Sequence, residues 1–178
     1  MKRTFVPALL AGSLAAISGM AEAHFFQPVG DKTVGFFVGF ILEPGYEGEP
    51  NGIEIFAKAD VRYDANGNPA RFRTINPTKH PEDSVRLEAT VQVLESADPQ
   101  AKVLAEKKVG KLRLAQPSLG RYTVDFTPYP AGIYAFKMSG RINGQRFNGR
   151  MICSVGSHET FTCIQPAKPR APEVFPQE

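Results

Sequence analysis

From Ser84 to Glu95 apolar and polar residues alternate without interruption. Val85, Leu87, Ala89, Val91 and Val93 fall on one side and Arg86, Glu88, Thr90 and Gln92 on the other. A period of two marks an extended chain with one buried face, because successive side chains of a strand point to opposite sides. The pattern recurs in Lys32–Leu42, around Val34, Phe36, Val38 and Phe40. It returns in Gly52–Tyr63, where Ile53, Ile55, Ala57, Ala59 and Val61 share a face and Glu54, Lys58 and Arg62 fall mostly opposite. Further strands are predicted over Arg121–Phe126, Ile133–Arg141 and Gln145–Val155. Asn143-Gly144, between the last two, is the signal for a type I′ hairpin turn, which needs positive φ at both central positions. Ala101–Lys108 reads either as a helix capped by Asp98-Pro99 or as a strand returning on Ser84–Glu95. The alternation of Val103, Ala105, Lys107 and Val109 favours the return.

Proline and glycine, 15 and 16 in 178 residues, punctuate these runs. Glu43–Asn51, Asp64–Pro69 with its Asn66-Gly67 turn, Ile75–Pro81 and Pro128–Gly132 read as connections, since neither residue sustains a ladder or a helix. With 42% apolar residues the chain can close one core. Seven or eight short strands without a strong helix predict an all-β fold, an antiparallel immunoglobulin-like sandwich. No internal repeat is present. Residues 165–178 contain Pro166, Pro169, Pro172 and Pro176 and are expected to form an extended, poorly ordered tail after a domain spanning 24–164.

The first 23 residues read as an address rather than a fold. Lys2 and Arg3 precede an apolar run from Phe5 to Ile17, too short to span a bilayer as a helix, and Ala21-Glu22-Ala23 offers a small-x-small cleavage site. Removal of this segment would leave 19 of 21 basic and 17 of 18 acidic residues, because Lys2, Arg3 and Glu22 go with it. Export implies a periplasmic or secreted location. The full chain carries a formal charge of only +3, with no basic run longer than Lys107-Lys108. By this measure the footprint of a nucleic-acid binder is missing.

Export also permits a disulfide between the only two cysteines, Cys153 and Cys163. As thiolates, with Met151 nearby, they would instead suit Cu(I). Histidine occurs three times, as His24, His80 and His158. Cleavage after Ala23 would make His24 the amino terminus, where its free α-amine and imidazole can chelate one metal, an arrangement that suits Cu(II). Cleavage after Ala21 would place the imidazole third, which is also favourable to Cu(II). His158, inside the Cys153–Cys163 segment, is the best candidate for a second metal ligand, provided that segment folds back toward the amino terminus. His80, between Lys79 and Pro81, reads as a surface turn. His158-Glu159 begins like a helix-borne zinc motif, but Thr162 stands where the second histidine is required. Gly-x-Ser-x-Gly, a phosphate-binding loop and Cys-x-x-Cys are all absent. Phe36, Phe40, Phe126 and Phe136 sit at strand spacing and are expected in the core.

The stretch Gly120–Val155 contains Gly-Arg-Tyr-Thr-Val-Asp-Phe-Thr-Pro, Pro-Ala-Gly-Ile-Tyr-Ala-Phe and the Asn-Gly hairpin. It resembles the carboxy-terminal half of the exported immunoglobulin-like sandwiches grouped with CopC-type copper-resistance proteins and YtkA- or FixH-like domains. The resemblance covers roughly a quarter of the mature chain together with its first residue. It implies Cu(II) binding through a mature amino-terminal histidine, which His24 matches. Copper-binding members complete the site with an Asp-x-His pair in the hairpin, where this chain reads Arg141-Ile142-Asn143-Gly144-Gln145-Arg146. Only the terminal half of that site carries over. The expected function is therefore copper carriage or sequestration without turnover. The alternatives are a metal-free envelope interaction module of the same fold, contacting a protein partner through strand edges or tail, and a copper monooxygenase, which the absence of Trp disfavours.

Overall fold

A computed structural model describes residues 24–154 and 161–168. The expected leader 1–23, His158 and residues 169–178 of the expected tail lie outside the described residues. Ten strands form: β1 (Phe25–Val29), β2 (Val34–Phe40), β3 (Asn51–Tyr63), β4 (Pro69–Thr74), β5 (Val85–Leu94), β6 (Val103–Lys111), β7 (Arg113–Gln116), β8 (Arg121–Phe126), β9 (Ile133–Ile142) and β10 (Gln145–Ile152). They build two antiparallel sheets packed face to face, the expected sandwich. The larger runs β1-β2-β3-β8-β7, with β4 also on β3, and the smaller runs β10-β9-β5-β6. The 13-residue β3 serves both partners along one edge, β8 through Asn51–Phe56 and β4 through Lys58–Tyr63.

The alternating runs became strands with their apolar sides inward. Phe36, Val38, Ile53, Ile55, Ala57, Leu87, Ala89, Phe136 and Met138 are buried in one core between the sheets. Phe40 lies at its centre, its ring meeting those of Phe126, Tyr134, Phe136 and Phe161 at 4.9–6.3 Å. Asn143 and Gly144 have φ of 45° and 79°, as the type I′ turn requires. The ambiguous segment is β6, a hairpin return on β5.

Ten strands stand among the described residues where seven or eight were expected. β1, with Pro28, and β4, which begins at a proline in a stretch read as loop, pair at sheet margins where propensity is outweighed by a long neighbour to bond to. β7 is a four-residue extension in which the chain leaves β6 and crosses to the other sheet through buried Leu112. The half-buried reading of β3 also needs correction. Glu54 and Lys58, on its outward face, are 6% and 4% exposed. Neighbouring side chains roof this part of the outer surface, and Phe72 of β4 lies beneath the Lys58 ammonium.

The start of the expected tail is tied down. Gln165 bonds Gly45 and Glu47 of the β2–β3 loop, and the Lys168 ammonium lies 4.0 Å from the Tyr46 ring centre.

One carboxylate bolts the sheets together at the other end. Asp83 is buried and accepts a forked pair of bonds from Arg73 of β4, at 2.6 and 3.0 Å. It also accepts from the Asn76 amide and from the Asn143 side chain of the β9–β10 turn, at 2.8 and 2.9 Å. The Arg73 bonds hold its carboxyl down at about 2, against an ordinary 3.8. Such a group stabilises the fold above its unfolded value and loses that contribution as pH falls toward about 2. Asp83→Asn is expected to cost about 2–3 kcal/mol, the scale of charged hydrogen bonds lost from a buried site. In chemical denaturation the loss should be full at neutral pH and shrink on acidification from pH 4 toward 2.

Candidate functional site

His24 immediately precedes β1, at the margin of the larger sheet. In register it continues the β1–β2 ladder, Phe25 standing opposite Val38, so residue 24 falls beside Gly39 on the outward face. Gly39 in turn stands opposite Glu54 of β3. A side chain at position 39 would block the way. A Cβ built there would lie 2.9 Å from both Cδ2 and Nε2 of His24, closer than real contacts allow. With glycine in place the imidazole lies across β2 and reaches Glu54, its Nε2 standing 2.9 Å from Glu54 Oε1. The ring meets Phe56 edge-on at 5.5 Å.

Glu54 is shared. Its other oxygen accepts from Arg121 Nε of β8 at 2.5 Å. Burial pushes the Glu54 carboxyl up, but the bonds from His24 and Arg121 and the arginine charge outweigh it, leaving the group below its ordinary value. Glu54 is therefore ionised at neutral pH and can only accept. Facing that carboxylate, His24 Nε2 donates to Glu54 Oε1.

A second carboxylate closes on the same spot. Glu43 Oε1 also comes within 2.9 Å of the position a Gly39 Cβ would take, while accepting from the Phe40 amide at 3.0 Å. Its Oε2 accepts from the Thr162 amide at 3.2 Å. Burial raises the Glu43 carboxyl, and the two amides and the nearby imidazole only partly counter it.

Thr162 belongs to the disulfide segment. Cys153 and Cys163 are bonded, with sulfurs 2.04 Å apart, so both are unavailable as thiolate ligands while oxidised. Phe161 stacks on Phe136 in the core at 4.4 Å. The segment that carries His158 thus has a fixed base one carboxylate away from His24. His158 itself lies outside the described residues. His80 sits on the expected turn, 3.4 Å from Glu82 and partly exposed.

Among the described residues no three His, Cys, Asp or Glu side chains are arranged to hold a metal ion. His24 Nε2 is oriented by the Glu54 carboxylate. Glu54, Glu43, Gly39 and Arg121 were missed by sequence reasoning. The only hint was an acidic residue on the polar side of an alternating run. No family model, curated protein or solved structure matches the chain. Among the described residues no helix is long and apolar enough to cross a membrane.

Gly39→Ala should displace the imidazole and break its bond to Glu54. A charged hydrogen bond worth about 1.5–3 kcal/mol is lost, offset by about 0.4–1 kcal/mol from a stiffer unfolded chain, for a net loss of about 1–2 kcal/mol. Denaturant unfolding measures the loss, and the His24 ring resonances in NMR report the displacement.

Proposed function

We propose that this is an exported Cu(II)-binding sandwich that carries or sequesters the metal through His24, freed as the mature amino terminus. The observation that supports this reading most is the bond from His24 Nε2 to Glu54, at 2.9 Å. Metal-bound histidines characteristically donate their second ring nitrogen to a carboxylate, which fixes the ring and strengthens the ligand. That bond leaves Nδ1 for a chelate with the residue's own amine. The amine titrates near ~8, so Cu(II) displaces its proton at neutral pH. His158 is the preferred further ligand, because the base of its segment is held at Glu43 by Thr162. The resemblance to CopC-type sandwiches agrees with this assignment, and a disulfide fits an oxidising compartment.

The test is a Cu(II) titration followed by paramagnetic resonance, comparing protein beginning at His24 with the same protein carrying one extra leading alanine. Tight binding with a nitrogen-rich spectrum is expected of the first alone. Equal weak binding by both would overturn the proposal and leave the metal-free interaction module standing. Glu54→Gln, in protein beginning at His24, should lower Cu(II) affinity by about 10–100-fold, the usual effect of removing a carboxylate that orients a ligand. His158→Ala should remove one nitrogen from the spectrum while leaving the chelate at residue 24.

A further inference from the structure

The outward face of the smaller sheet, on the opposite side of the sandwich from His24, concentrates the positive charge of the chain. Register places its residues in rows across the strands. Arg146 of β10 stands opposite Arg141 of β9, which stands opposite Arg86 of β5. The next row along the strands is Asn148, Ser139, Glu88 and Lys111, and the next is Arg150, Lys137, Thr90 and Lys108. These three rows hold seven cations and one carboxylate, Glu88, which Lys108 Nζ already neutralises at 2.6 Å. Against a formal charge of +3 for the whole chain, these three rows are +6 and the remainder −3, with Glu106 in the row beyond them.

The arginine row is costly to the free protein. Like charges directly opposite on neighbouring strands repel. With strands about 4.8 Å apart, three guanidinium-bearing residues fall within roughly 10 Å. Among the described residues none of Arg86, Arg141 and Arg146 is paired with a carboxylate. Arg141 gives one bond to the Gly144 carbonyl at 2.6 Å. All three are exposed. Together with Ser139, Gly140, Asn148 and Phe147, which is only 8% exposed, they line an open cleft of about 490 Å³.

We propose that this face docks a linear polyanionic polysaccharide, its acidic groups held by the Arg86–Arg141–Arg146 row. Guanidinium forks match carboxylate and sulfate oxygens two at a time. Asn148, Ser139 and Thr90, interleaved with the cations, supply the amide and hydroxyl groups that sugar hydroxyls bond. The composition of the face argues against other anions. None of the exposed large apolar side chains, Leu42, Phe72, Val103, Leu104, Leu114, Leu119 and Tyr129, belongs to these rows. A membrane-docking surface adds such groups to its cations. The rows also hold no aromatic ring on which the bases of a single strand would stack.

The test uses a fluorescent heparin octasaccharide as the probe, followed by anisotropy at low ionic strength. Native protein should bind, and added salt should release it. The triple variant R86Q/R141Q/R146Q should bind at least about tenfold more weakly, as expected when several charge-assisted bonds are lost. A control, R62Q/R71Q/K79Q, removes the same charge from exposed positions on the larger sheet and its following loop, and should stay within about twofold of native. Arg86→Lys keeps the charge without the fork and should also weaken binding. Thermal unfolding of the triple variant at or above the native midpoint would agree with relief of repulsion. If the triple variant unfolds early, Arg86→Lys and the control carry the comparison. Absence of heparin binding by native protein, or equal losses in triple variant and control, would overturn the proposal. So would arginine-dependent binding to phosphatidylglycerol vesicles that exceeds binding to heparin.

Discussion

A carboxylate removed from water must be answered by positive charge, and Glu54 is 6% exposed on the outward face of a strand. The surroundings of His24 follow from that constraint. Arg121 comes from β8, the strand next to β3, and supplies one partner. His24 comes from two strands away on the other side and supplies the second, which it can reach only because β2 carries glycine at position 39. The imidazole is thereby held in place with one ring nitrogen committed to Glu54. A histidine at a sheet margin would ordinarily rotate freely. Here the sheet fixes it.

The segment after β10 is held in the same economy of few strong contacts. A disulfide, a stacked pair of phenylalanines and one amide bond to Glu43 anchor residues 161–163 between the core and the His24 carboxylates. The two outward faces of the sandwich have different chemistry as a result of topology alone. The larger sheet bears a row of aromatic rings, Phe26, Phe37 and Phe72, and the ion pairs of Glu54 with His24 and Arg121. The smaller sheet bears unroofed cations.

Much of the fold was legible because alternation is a local property. The runs around Phe36, Ile55, Leu87 and Phe136 are strands in which those residues are buried, and Asn143-Gly144 is the turn its residue types demand. β1, β4 and β7 were not legible, since each is short, carries Pro28 or Pro69 or few apolar residues, and exists because a neighbour offers unpaired backbone groups. Lys58 and Glu54 read as solvent-facing because sequence reveals which side of a strand a residue takes but not what lies above it. The basic face was hidden for a related reason: Arg86, Arg141 and Arg146 are separated by up to 60 positions and form no run.

What the sequence determined by itself was the sandwich, its hairpins, the candidacy of His24 and the chemical possibility of the Cys153–Cys163 bond. Each depends on residues adjacent in the chain or on the inventory of residue types. What only the tertiary structure decided was the bond from His24 to Glu54, the glycine that admits it, the approach of the disulfide segment and the alignment of three arginines. These depend on strand order and register, which bring together residues up to 119 positions apart, and no local pattern encodes the long-range pairing.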